Sequence, residues 1–500
     1  MKSKIKELKK RLAEIYHLNS ILQLAAWDQE VNMPPKVADA RALSISHLAA
    51  VIHNKFVFID SDGLLSKLVK ALESKKIKGS DAIVVLETWR TYNREKKLPE
   101  SFVRKLSETC SKSQSIWAKA RRENNFKLFL PWLKNIVDLK KQEAKYVGFK
   151  ESPYDALLDV YEPGMTARET EKIFTDLKSF LIPFLKKIQS QNIKVKPDKM
   201  KGNFPIEAQK KWNIFLAESI GFDFEAGKMD VSTHPFASGL HPYDVRLTTR
   251  YKHDDIFYSI GSTIHETGHG LYEQGLPTKH FGTPLGESVS LGIHESQSRM
   301  WENIIGKSQP FWKYFYPKLQ NEFPIPFKNL DLDEFYKIIN QVNPSLIRTE
   351  ADEVTYNLHV ILRFEIEKGM IEGTIKLENL PQIWKSKMRE YLGIEVKNDT
   401  SGVLQDVHWS MGNMGYFPTY ALGNLYSAQF FTTMQHDIPD IYQKISKGKF
   451  GEINKWLRKN IHNYGKTYRA KDLVKKITGE TLNSKYFKEY IENKYGTIKS

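Results

Sequence analysis

The sequence predicts a mainly α-helical protein with one small β element. Three observations carry this reading. Apolar residues recur at helical spacings along most of the chain, one stretch alone alternates and is β-branched, and no repeat, low-complexity linker or abrupt composition change divides it. The 500 residues, 41% hydrophobic and 27% charged, would by length suggest two or three units. The unbroken pattern instead predicts one continuous, multi-lobed domain over residues 1–500.

The first helical signal lies at 4–24, where Ile5, Leu8, Leu12, Ile15 and Leu22 repeat at spacings of three, four and seven. Similar patterns occur near 102–122, 168–190, 333–342, 351–371 and 453–461. In 351–371 the apolar face is Val354, Leu358, Ile361, Leu362 and Ile366. The interleaved charges are Glu350, Asp352, Glu353, Arg363, Glu365 and Glu367. Proline and glycine punctuate the middle of the chain at Pro197 to Pro205, Pro235 to Pro242 and Gly275 to Gly286. The alternating, β-branched run from Val245 to Tyr251 marks 229–251 as the extended element.

The single cysteine, Cys110, excludes an intrachain disulfide and a site of several thiolates, and fits a reducing compartment. Charges recur through Met1 to Leu12, unlike the apolar core of a signal peptide. No run of about 18 apolar residues signals a membrane span. The expected setting is the cytoplasm, without membrane partners. The net charge of +16 is concentrated at the C-terminal end, where 441–500 carries 15 Lys/Arg against 5 Asp/Glu. Such a surplus could attract nucleic acid. Here it is interspersed with Ile445, Trp456, Leu457, Ile461, Leu473 and Ile477, as on solvated faces of packed helices, so no nucleic-acid partner is expected.

The chemical signal is His265-Glu266-Thr267-Gly268-His269. On a helix, residues four apart share one face, so both imidazoles can converge on one ion. The preceding Ile256, Phe257, Ile260 and Ile264 supply the apolar stripe such a helix needs. Catalytic zinc takes three protein ligands and keeps a fourth position for water. Glu266, beside that position, would accept the water's proton and pass it to the leaving amine. The metzincin pattern needs glycine where Tyr272 stands and histidine where Gly275 stands, so that subclass is excluded. Glu273 continues the same helix, but one helix face does not readily surround an ion over three turns. Glu295, 26 residues after His269, allows a loop and a second helix to return to the metal. His294 beside it remains a chemical competitor.

His265-Glu266-Thr267-Gly268-His269 with Ile293-His294-Glu295-Ser296-Gln297 resembles the M32 metallocarboxypeptidases, the thermostable carboxypeptidase Taq type. Further blocks agree in order: Trp27-Asp28-Gln29-Glu30 with Met33-Pro34, His234-Pro235-Phe236, Asp244 to Thr248, Arg348 to Tyr356, and Gly402 to Trp409. Val31, where threonine is common, is a small departure away from the proposed ligands. The resemblance implies a helical body like neurolysin and angiotensin-converting enzyme, two-lobed around a deep groove, with the β element beside the zinc helix. It implies removal of single residues from free peptide C-termini, with broad tolerance and poor cleavage next to proline; the ligand spacing alone leaves a zinc endopeptidase or oligopeptidase with the same ligands as the alternative. It also implies a homodimer. The ligands would be His265, His269 and Glu295, selecting Glu295 over His294, and Glu266 the base. One Zn2+ per chain is expected, with Co2+ or Mn2+ as possible substitutes at a His/Glu site.

The reaction also needs donors to the oxyanion and a reader of the terminal carboxylate. Tyr416 and Tyr420 follow His408 much as a histidine and a tyrosine supply donors in the converting enzymes; Tyr420 and His408 are favoured. Arginine suits a carboxylate because its planar fork donates twice. Arg348 is the first choice over Arg246 and Arg250. Its acidic neighbours offer the alternative of a structural ion pair. His234 and Asp406 are candidate orienting groups, and Trp27 and Trp409 read as packing residues.

Overall fold

The structure, a computed structural model, describes residues 1–191 and 197–496. The chain opens with helices α1 (Lys2–Val31), α2 (Ala38–Val57), α3 (Leu64–Glu73) and α4 (Gly79–Glu95). Then follow α5 (Glu100–Arg122), α6 (Phe126–Val147), α7 (Pro153–Leu158), α8 (Ala167–Ser190) and α9 (Ile206–Ile220). Strands β1 (Gly227–Val231), β2 (Ala237–His241) and β3 (Asp244–Thr249) precede α10 (Ile256–Gly275) and α11 (Leu291–Arg299). A π-helical turn over Met300–Ile305 continues α11 directly. The remainder comprises α12 (Gln309–Glu322), α13 (Leu332–Ile339), α14 (Tyr356–Glu372), α15 (Leu380–Leu392), α16 (Pro418–Asp437), α17 (Ile441–Ile445), α18 (Gly451–Asn460), α19 (Ala470–Thr478) and α20 (Lys485–Tyr495).

Local chemistry sets several of these boundaries. Thr166 and Glu169 close a capping box at the start of α8. Asp255 caps α10 by accepting from the Tyr258 N–H, and Ser290 caps α11 by accepting from Ile293. The expected helix at 351–371 begins only at Tyr356. Asp352 instead accepts from the Val354 and Thr355 N–H groups and holds a turn there. Nor is α14 amphipathic. Its predicted apolar face is buried, but so are Arg363 and Glu367, both 0% exposed. They are tolerated because each is paired: Arg363 donates to Asp406, while Glu367 accepts from Tyr154, Trp409 and the Gly415 N–H.

The predicted extended element is a three-stranded sheet of order β1-β3-β2. Central β3 runs parallel to β1 and antiparallel to β2, with an irregularity between Gly239 and His241. Both β2 and β3 pack against α10.

Buried apolar side chains form two clusters. The larger spans the body from Ala120 to Tyr495. The smaller joins Ile5, Leu8, Leu12 and Ile15 of α1 to residues of α3 and α4, and receives one distant member, Leu285. Leu285 lies in the connection between α10 and α11, so that connection anchors the N-terminal helices. Helix α2 contributes no buried residue. The helical stretch Pro35–Asp60 is long and apolar enough by composition to cross a membrane, but Asp39, Arg41, His47, His53, Asn54 and Lys55 interrupt it, so no continuous apolar run of about 18 residues arises there. In the basic C-terminal region Ile445, Trp456, Leu457, Ile461 and Leu473 are buried, and Ile477 packs partly buried against the core.

Replacing Leu285 with alanine is expected to cost about 2–5 kcal/mol through a cavity in the smaller core. Hydrogen exchange should then accelerate in α1, α3 and α4 before the body is affected.

Candidate metal centre

Helix α10 carries His265, Glu266 and His269, and α11 carries Glu295. The two helices meet closely because Gly268 lacks a side chain. A Cβ there would lie 2.6 Å from the Ser298 Cα and 2.8 Å from the Gln297 carbonyl oxygen. Helix α16 approaches from the other side through Gly423, where a Cβ would lie 2.6 Å from that of Glu295. The start of α11 is fixed by buried Glu162, which accepts from the Gly292 N–H and from Tyr426 Oη.

One donor atom from each of His265, His269 and Glu295 lies within 4.8 Å of the others. Glu295 Oε2 is 3.8 Å from His265 Nε2 and 3.5 Å from His269 Nε2. Tetrahedral bonds of about 2.0–2.1 Å would place neighbouring donors roughly 3.3 Å apart. Two imidazoles and a carboxylate at this spacing therefore fit a divalent ion of the zinc type. His294 does not compete: its Nδ1 faces His269 Nδ1 at 2.5 Å, and its Nε2 faces Glu273 Oε1 at 2.7 Å.

Residues not anticipated from the sequence complete the centre. Arg299 Nε donates to Glu295 Oε1 at 2.7 Å, leaving Oε2 toward the imidazoles. Arg299 Nη1 also reaches Glu302 Oε2 at 3.2 Å, and the same oxygen accepts from His265 Nδ1 at 2.8 Å. Arg299 and Glu302 stand four and seven residues after Glu295, a helical-face signal present in the sequence. Its meaning depended on α10 lying opposite. Burial pushes the Glu266 carboxyl up to about 7. Burial alone would lower His265, but Glu295 and Glu302 carry it to about 9, while burial takes His269 down to about 3.

A second group adjoins the first. His408 Nε2 is 3.1 Å from Tyr420 Oη, and the Tyr416 and Tyr420 rings are 5.2 Å apart. Both tyrosines feel the Glu295 charge. Pro418 does not disturb this arrangement, because it occupies the first turn of α16 and Tyr416 lies just before it. Arg348 lies with its guanidinium 4.8 Å from the Tyr420 ring centre. It donates through Nε and Nη2 to Asp406 and through Nη1 to Tyr356. The ion pair that its sequence neighbours suggested thus exists, but with distant Asp406 as partner. Two guanidinium N–H groups remain beyond these bonds.

Arg246 and His234 do not join this group through any hydrogen bond, ion pair or ring contact among the described residues. Arg246 is bound by Asp244 two residues away and lies 4.9 Å from the Trp27 ring centre. His234 is exposed in the turn after β1. Arg250 donates to the Thr233 carbonyl and covers Tyr258. Trp27 and Trp409 are buried packing residues, the latter tied to Glu367.

A model of the carboxypeptidase Taq (M32) metallopeptidase family matches residues 7–495. The chain belongs to this family. It is 40% identical over 498 residues to thermostable carboxypeptidase 1 of Thermus thermophilus, with 97% of each chain covered. Against carboxypeptidase 1 of Bacillus subtilis it is 38% identical over 493 residues, covering 99% of this chain and 98% of the relative. The structure of Pyrococcus furiosus carboxypeptidase superposes with a TM-score of 0.94 at 38% identity, covering 98% of this chain and 99% of that one. The M32 chain is accordingly a metallocarboxypeptidase, a peptide hydrolase, and its family implies a divalent metal and peptide substrates.

Gly268→Ala is expected to force α10 and α11 apart, costing about 1–3 kcal/mol. Thermal unfolding and metal content should fall together.

Proposed function

We propose that this M32 enzyme is a zinc carboxypeptidase that removes single residues from free peptide C-termini, with broad tolerance and poor action beside proline. The observation that carries the reading is the convergence of His265 Nε2, His269 Nε2 and Glu295 Oε2, with Glu266 alongside. Held by these three atoms, zinc would supply Lewis acidity toward the scissile carbonyl and toward water.

The protein's own groups then have distinct tasks. Glu266, whose buried carboxyl is raised toward neutrality, accepts the proton of the attacking water and delivers it to the leaving amine. Tyr420 stays protonated because burial raises its phenol well above the usual value. His408 is kept neutral, lowered to about 3 by burial and by Arg348. Its buried Nδ1 has no partner. A bare lone pair is tolerated there more readily than an orphaned N–H, which places the ring proton on Nε2. His408 then donates to Tyr420 Oη, whose own hydrogen is shared with Tyr416 and would turn from it to the developing oxyanion.

Arg348 is the proposed reader of the terminal carboxylate, with Tyr416 beside it. Its position at Tyr420 supports this over Arg246, which is held within its own strand by Asp244. Arg246 and His234 are assigned to more distant substrate contacts. The 500 residues would act as one catalytic domain, paired as a homodimer in the cytoplasm. Light scattering and cell fractionation read the last two assignments, which rest on the family resemblance and the lone cysteine.

Purified enzyme should contain about one zinc per chain. Glu266→Gln should retain that metal while losing about 100–10,000-fold in kcat; full activity in this variant would refute the assigned base. A free-acid peptide should shorten by successive single residues, while its C-terminally amidated twin should resist. Equal internal cleavage of both would refute the carboxylate-reading role.

A further inference from the structure

The contacts behind the two histidines are unequal. His265 Nδ1 meets a carboxylate directly, Glu302 Oε2 at 2.8 Å. His269 Nδ1 meets another imidazole, His294, whose far nitrogen meets Glu273 Oε1. We propose that Glu273 and His294 form a positioning relay that fixes the tautomer of His269 and thereby sets the metal affinity of the site. This rests on the assignment of His265, His269 and Glu295 as the metal-binding set.

The proton positions follow from donor chemistry. A carboxylate only accepts, so the 2.7 Å contact between Glu273 and His294 requires the hydrogen on His294 Nε2. In the neutral ring the other nitrogen, Nδ1, then presents a lone pair. The 2.5 Å contact to His269 Nδ1 therefore requires the hydrogen on His269. His269 Nε2 is left bare, facing Glu295 Oε2 at 3.5 Å, as a metal ligand must be. Reversing the relay would put a hydrogen on His269 Nε2, where the metal bond belongs.

The surroundings hold this chain in place. Glu273 lies four residues after His269 on α10 and packs against β2 at Gly239, where a Cβ would lie 2.2 Å from its Oε2. Tyr272 covers His294 with ring centres 5.1 Å apart. Glu273 and His294 retain only 18% and 16% side-chain exposure, which limits competition from water. The β element thus has a part in the metal site: it walls the carboxylate that directs the relay.

Zinc affinity is measured by chelator competition on wild-type enzyme, Glu273→Gln, His294→Phe and the double variant, with unfolding of each metal-free protein recorded alongside. The glutamine amide can turn its NH2 toward His294 and reverse the relay without changing the space filled. Each single variant should bind zinc about 10–100-fold more weakly, the usual loss on removing a partner of a metal-ligating histidine. The double variant should match His294→Phe, because both changes break one path. If Glu273→Gln does not fold, His294→Phe carries the test. Affinity within about twofold of wild type, whatever happens to stability, or multiplied losses in the double variant, would overturn the relay. Failure of wild-type enzyme to bind zinc would instead overturn the metal assignment beneath it.

Discussion

Everything at the centre depends on how closely the α10 and α11 backbones can approach. Gly268 sets this distance, since any side chain would strike the Ser298 and Gln297 backbone. At that separation Glu295 Oε2 stands between two imidazoles one turn apart on α10. Gly423 repeats the device on α16, admitting the Glu295 side chain and bringing the helix whose first turn carries Tyr420 to the same place. Small residues here do not provide flexibility; they provide proximity between rigid elements, which holds donor atoms more accurately than loops do.

The second constraint is electrostatic. Glu295, Arg348 and Arg363 are buried and Glu302, Arg299 and Asp406 are nearly so, which is costly unless every charge is met. The structure meets them in two connected sets. Arg299 spans Glu295 and Glu302, while Asp406 holds Arg348 and Arg363 through different oxygens. Tyr356 links the sets, accepting from Arg348 and lying under Arg299. The pairing leaves little rotational freedom, so the site is organised before substrate arrives. The connection between α10 and α11 adds a mechanical tie, since Leu285 within it is buried among the N-terminal helices.

Much of this was legible in the sequence because the signals were local. Helical spacing located α1, α5, α8 and α10, and β-branched alternation located β3. The His-Glu-Thr-Gly-His run required only one helical turn to be understood, and Glu295 required one further helix. The misreadings arose where context overrode pattern. Arg363 and Glu367 stood only as charges interleaved in an amphipathic helix, because their partners, Asp406, Tyr154 and Trp409, lie far away in sequence. Helix α2 is apolar in composition yet contributes no fully buried residue, and only Ile52 and Phe56 pack partly buried against the smaller core.

The sequence by itself set two histidines one turn apart on α10 and carried the family resemblance, since these depend on residue identity and on the fixed geometry of one helix. Only the tertiary structure turns Glu295 Oε2 toward the two imidazoles and His294 toward Glu273, because that depends on which atoms face inward across the α10–α11 contact. Only it joined Arg348 to Asp406, recruited Arg299 and Glu302, and placed Glu273 behind His294. Each of these pairings is a meeting of side chains that a one-dimensional pattern leaves unpaired.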